Sequence, residues 1–137
     1  MKFRKVIYSM VISAMLFSLL ISFKQNNFDL KASIARGKEV YFSYCLSCHM
    51  ENGNGIENLY PPLAKSDYMM ADKKRSIIQT LYGASGEMKV NGKLYSTPMP
   101  GFELTDEQVS DVLNYARNSW GNKGKAVLPA EVKAVRK

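Results

Sequence analysis

The spacing of apolar and polar positions changes several times along the chain, and each change predicts an element. Residues 6–23 form an uncharged, mostly apolar run of 18 residues behind Lys2, Arg4 and Lys5, the shape of a secretory signal or an N-terminal membrane anchor. As a helix this run spans roughly 27 Å, a little short of a hydrocarbon core of about 30 Å but workable with a snorkelling flank such as Lys24. No Ala-x-Ala type pair closes it, which favours retention as an anchor with the basic residues cytoplasmic and the remainder facing outward. Residues 24–32 read as a polar linker. Ser33 is then placed to cap a helix through Gly37, Tyr41 and Cys45, whose spacing of four puts them on one face.

Further along, Asp72 to Tyr82 reads as a helix closed by Gly83, with Ile77, Ile78 and Leu81 turned inward. Asn91-Gly92 separates two short alternating stretches within 88–95, a strong two-residue hairpin signal. Thr105-Asp106-Glu107-Gln108 has the form of a capping box with acidic residues in the first turn. It opens a helix bearing Val109, Val112, Leu113, Tyr115 and Ala116 on one side and stopping near Trp120-Gly121. Residues 123–137 read either as a short helix from Pro129 with Val132 and Val135 inward, or as a frayed basic end.

At 137 residues the chain has room for one domain, residues 33–122, between the N-terminal segment and the tail. Its formal charge of +7 is misleading about partners. Three positive charges lie before the apolar run, and the tail carries five against Glu131; residues 24–122 hold eleven basic and eleven acidic side chains. This balance gives nucleic-acid binding no support. Lys65, Lys73, Lys74, Lys89 and Lys93 are candidates to guide a docking partner, although such a scatter also describes an ordinary solvated surface.

The chemistry is concentrated in Cys45-Leu46-Ser47-Cys48-His49, which holds both cysteines and the only histidine. This is a haem attachment signal. Thiols three apart on a helix share a face and can reach two vinyl groups along one porphyrin edge, with His49 placed to bind the iron from that side. Zinc would need a fourth nitrogen or sulfur ligand that the chain lacks. A thioredoxin-type dithiol would follow a strand, and no β-branched run precedes Cys45. A disulfide across two residues would close too small a loop to stabilise much.

Gly37, Tyr41, Cys45, Cys48 and His49, together with Val112 and Tyr115, resemble the pattern of class I cytochrome c over residues 34–122. The resemblance implies an all-α fold in which the first and last helices cross over one covalent haem c, here with a small β-hairpin ahead of the axial methionine loop. Gly53-x-Gly55, Tyr60-Pro61-Pro62-Leu63-Ala64 and Ser66-Asp67-Tyr68 are similar to bacterial members found beside periplasmic dehydrogenases and nitrite reductases. In that family a proline carbonyl of this loop accepts the free imidazole N–H. Pro61 matches by its spacing to Leu63, both being counted as haem-binding positions, and Pro62 is the alternative. The chain departs from many members at Met50, where they carry glycine.

Met69, Met70, Met88 and Met99 compete as the second axial ligand, since three of the eight methionines are N-terminal and Met50 adjoins His49. Met99 lies between Pro98 and Pro100, which stiffen an extended loop, and the family places its methionine just before the last helix. With His49 and Met99 on the iron, the resemblance implies a one-electron carrier rather than an enzyme, working on the periplasmic side of the cytoplasmic membrane. Its partners would be redox proteins: a dehydrogenase, oxidase or reductase. A peroxidase-like enzyme or a redox or gas sensor would instead need an open iron position.

Overall fold

A computed structural model of the protein describes residues 28–137 and Phe3. Apart from Phe3 the expected signal or anchor at 1–23 lies outside these residues, as do residues 24–27 of the expected linker, whose last three residues belong to a helix. Helix α1, Leu30–Tyr44, begins earlier than its sequence indicates, because the Asp29 carboxylate accepts from the Ala32 N–H at 3.0 Å. Ser33 is therefore inside the first turn. Its hydroxyl serves a distant partner instead, donating to Asp111 Oδ1 at 2.5 Å. The buried face of α1 is Ser33, Gly37 and Tyr41, one residue per turn.

The chain re-enters a helical turn in α2, Leu46–His49, directly after Cys45. Ser66 then caps a five-residue helix α3, Asp67–Ala71, and Asp72 caps α4, Lys73–Tyr82, through the Arg75 N–H at 2.9 Å. Gly83, at φ +82°, ends α4 as expected. Ile77 and Leu81 are buried, but Ile78 is 37% exposed, contrary to the sequence expectation. Positions 77 and 81 share a face, whereas 78 lies about 100° around the helix from 77.

The hairpin forms with β1, Met88–Val90, antiparallel to β2, Lys93–Tyr95, and Val90 paired with Lys93. Asn91 and Gly92 both take positive φ, as this tight turn demands. Asn91 also exchanges two hydrogen bonds with Asp67, so the turn is tied to the start of α3.

Helix α5, Asp106–Ala116, has the full capping box: Thr105 Oγ1 accepts from the Gln108 N–H, and Gln108 Oε1 from the Thr105 N–H. It ends at Ala116, a turn before the expected stop. The chain then bends so that Trp120 packs its ring on Tyr41 and Tyr115, at 5.2 and 5.4 Å between centroids. The last helix α6, Pro129–Lys133, starts at the anticipated proline. Val127 and Val132 are fully buried in the same core as Tyr41, Ile77, Leu104 and Val109, so the core runs past Asn122. Among the described residues the fold is helical with one two-stranded hairpin.

Helices α1 and α5 pack at Gly37, where an added Cβ would lie 1.9 Å from the Asp111 carbonyl oxygen. Beside this contact Asp111 is buried, with Arg36 donating to its two oxygens at 2.7 and 2.8 Å. Asn114 donates to the Ser33 hydroxyl at 2.9 Å and exchanges two bonds with the Val127 backbone. Gly37→Ala must separate the helices, and we expect a loss of about 3 kcal/mol. Denaturant unfolding of the haem-loaded variant measures it; an unchanged midpoint would show that the backbones do not meet there.

Candidate haem-binding site

Cys45 sits at the joint between α1 and α2, its N–H bonded to the Tyr41 carbonyl and its own carbonyl accepting from His49. Cys45 and Cys48 are free, half-buried thiols lining one cavity. Burial, with a smaller contribution from Cys48, pushes the Cys45 thiol up to about 12. A neutral sulfur in an apolar wall suits a thioether link.

His49 is 7% exposed, and its Nδ1 lies 3.0 Å from the Pro61 carbonyl oxygen. Only a protonated Nδ1 can donate to a carbonyl, which leaves the lone pair on Nε2. Burial lowers the imidazole pKa, opposed by the Pro61 bond, so the neutral, metal-binding form is favoured. The loop carrying Pro61 is closed tightly. The Gly55 N–H donates to the His49 carbonyl, Gly53 accepts from Leu63 and Ala64, and Ile56 pairs with Tyr60. Both glycines have positive φ and no room for a side chain: Gly53 faces the Trp120 ring and Gly55 the Tyr60 and Pro61 carbonyls. Leu63 is half-buried and lines the cavity beside Pro61.

Met50 follows His49 at φ 61°, ψ 160°, a region that is essentially glycine's. Its carbonyl accepts from the Tyr41 hydroxyl at 2.7 Å. The departure from glycine therefore leaves the loop path intact and places strain in it.

The loop of Met99 is fixed through its backbone. Met99 and Ala84 exchange N–H···O bonds of 2.9 Å in both directions, and Phe102 donates to the Thr80 carbonyl. A Cβ on Gly83 would come within 2.4 Å of the Met99 carbonyl oxygen, and one on Gly101 within 2.6 Å of the Leu81 carbonyl oxygen. Met69, Met88 and Met99 all line the cavity, while Met70 does not.

This cavity, about 270 Å³, is walled by every helix except α6, by the hairpin and by the methionine loop. Among the described residues no Lys, Arg, Asp or Glu lines it, and Lys73 and Lys93 are engaged by Glu131 and Glu57. Among the described residues no cluster of three His, Cys, Asp or Glu side chains could hold a bare metal ion. An apolar slot with two thiols and one imidazole at its wall fits a porphyrin. Sequence reasoning missed the polar lining from α4, namely Ser76, Gln79 and Thr80, and Tyr68, whose hydroxyl accepts from Gln79 at 2.9 Å. Polar residues on an amphipathic helix read as solvent-facing. Here the hydroxyls of Ser76 and Thr80 are spent on carbonyls inside the helical segment.

Residues 34–120 match the family model described as Cytochrome c, and the chain belongs to that family. It is an electron carrier with covalent haem c joined through Cys45 and Cys48. It is 34% identical over 110 residues to cytochrome c-552 of Thermus thermophilus, covering 75% of this chain and 83% of that protein. It is 32% identical over 96 residues to the cytochrome c subunit of a quinone alcohol dehydrogenase from Gluconobacter oxydans, covering 69% of this chain and 20% of that protein. The cytochrome c subunit of gluconate 2-dehydrogenase from Pantoea cypripedii is 32% identical over 105 residues, 74% of this chain and 24% of that subunit. The chain thus spans about a fifth to a quarter of the dehydrogenase subunits and most of the Thermus cytochrome.

The strain at Met50 has a measurable sign. Met50→Gly should raise the stability of the haem-loaded protein by about 1 kcal/mol, the low end of the cost of such a conformation, because part of the gain is offset by the entropy glycine adds to the unfolded chain. Calorimetry would read this as a higher Tm, and a lower one would disprove the strain.

Proposed function

We propose that His49 and Met99 are the two axial ligands and that the protein passes single electrons between redox proteins on the periplasmic side of the cytoplasmic membrane. The observation carrying this reading is the His49–Pro61 hydrogen bond, which turns Nε2 into the ligand nitrogen of a cavity that the pinned Met99 loop also lines. Haem, when bound, supplies a one-electron iron couple.

The chain's own residues make that couple usable. Pro61 holds the imidazole in one orientation and strengthens its donation. Pro98, Pro100 and the Ala84 bridge keep the methionine backbone in place, so little of the polypeptide needs to move between oxidation states. The apolar wall excludes water and favours the less charged ferrous iron. Two protein ligands leave no coordination position for oxygen or peroxide, which supports a carrier over an enzyme or sensor.

Relatives named as cytochrome c subunits of dehydrogenases, and as subunit CcoP of a cbb3-type oxidase, support a dehydrogenase or oxidase as partner. Lys2, Arg4 and Lys5 ahead of residues 6–23 support an export signal or a retained tether. Among the described residues no helix is long and apolar enough to cross a membrane.

Visible spectroscopy of the exported protein tests the ligands. The ferric form should show a weak sulfur-to-iron band in the far red that vanishes in Met99→Ala and persists in Met69→Ala and Met88→Ala. A band that survives in Met99→Ala would transfer the role to another thioether.

A further inference from the structure

Residues 123–137 run back across the molecule. The Val127 carbonyl accepts from Ser110 and Asn114 of α5, and Lys73, at the start of α4, reaches the Ala126 carbonyl and the Glu131 carboxylate. The path ends on the segment that joins Met99 to α5. Arg136 Nη2 donates to the Leu104 carbonyl at 2.7 Å, and its Nε donates to the Asp106 carboxylate at 2.7 Å. The Lys137 backbone N–H donates to the Tyr82 hydroxyl at 2.5 Å, beside Gly83. Leu104 itself is 3% exposed and sits in the core with Leu81 and Val132.

The methionine loop is thus held at two ends. Gly83 and Ala84 fix its upstream side through the backbone contacts with Met99. Downstream, between Phe102 and α5, the only side chain donating to a loop carbonyl among the described residues is that of Arg136.

We propose that residues 123–137 form a strap over this loop and that Arg136 is a positioning residue, setting how firmly Met99 stays on the iron. The proposal rests on Met99 being the distal ligand. Its logic is a population argument. A fluctuation that carries the Met99 backbone away moves residues 100–104, and Arg136 ties their far end, through the Leu104 carbonyl, to the Asp106 carboxylate at the start of α5 with two charge-assisted bonds. Removing them raises the fraction of molecules with Met99 detached, and any added ligand for the iron binds more tightly in the same proportion.

The probe is imidazole titrated into the full-length ferric protein, followed by loss of the far-red band. Arg136→Ala should tighten imidazole binding about tenfold, the equivalent of one charge-assisted bond. Arg136→Lys, which keeps a donor but not the planar fork, should fall between. Arg36→Ala is the control for general loosening, because it removes a comparable pair of bonds to Asp111 at the α1–α5 contact; its imidazole affinity should stay at the parental value. Equal tightening in both alanine variants, or none in Arg136→Ala, overturns the strap while leaving the ligand assignment standing. A far-red band untouched by Met99→Ala overturns the ligand assignment and the strap with it.

Discussion

The close approach of Gly37 to the backbone of Asp111 sets the spacing on which the site depends. With α1 and α5 in backbone contact, Tyr41, one turn past Gly37 on α1, and Val112, Leu113 and Ala116 of α5 are brought to the wall of one cavity. Tyr41 then carries the constraint toward the chemistry. Its ring packs against Tyr115 and Trp120, and its hydroxyl holds the Met50 carbonyl just past His49. Trp120 in turn lies against Gly53, whose carbonyl accepts from Leu63 and Ala64, and the neighbouring Gly55 lies against Pro61. At Gly37, Gly53 and Gly55 the contact is too tight for one more methyl group. The sequence of contacts ends on the carbonyl that orients the imidazole.

The same helix pair buries a polar network, and its energetics differ from those of the apolar core. Asp111, Ser33, Asn114 and Ser110 are all almost fully buried, yet each has a hydrogen-bond partner. Such a group contributes modestly when satisfied and costs heavily when orphaned. The network therefore acts mainly on register. A shift of α5 by one residue would leave Asp111 without Arg36 and Ser33, and Val127 without Asn114. Arg36 is half exposed, so the carboxylate keeps contact with a partly solvated cation, which tempers the desolvation penalty of a buried ion pair.

Local signals in the sequence located what local interactions decide. The Thr105–Gln108 capping box, the Asn91-Gly92 turn and the Gly83 stop each depend on atoms within a few residues, and each forms as read. Ser33 misled because its hydroxyl is a competent cap locally but meets Asp111, 78 positions away. Ile78 misled because α4 is covered on two sides, by the core at Ile77 and Leu81 and by the cavity at Ser76 and Thr80, leaving the third apolar position to solvent. Helix α3 was too short for a periodicity to show, although Ser66-Asp67 carries its cap and first-turn acid. In the site, the attachment motif is five consecutive residues and needs no tertiary information. The methionines are the opposite case. Nothing in their spacing tells Met69 and Met88, which line the cavity, from Met70, which does not.

The two sides of the site are built on different principles, and this explains where chain-specific support is needed. His49 is placed chiefly by residues near it in sequence, directly after the two attachment cysteines and before one short loop, with Tyr41 and Trp120 packed behind that loop. Met99 has no such neighbours. It lies 50 residues from His49, in an extended loop whose only regular pairing is one bridge to Ala84. A loop of this kind gains order from whatever covers it, because each restraint removes conformations that would otherwise compete with the bound one. Thr80 holds the Phe102 N–H, Gly83 and Gly101 allow the loop to lie flat on the end of α4, and the returning C-terminal residues close it from the α5 side. The distal half of the site is thus assembled last in sequence, from elements that meet only when the whole chain has folded.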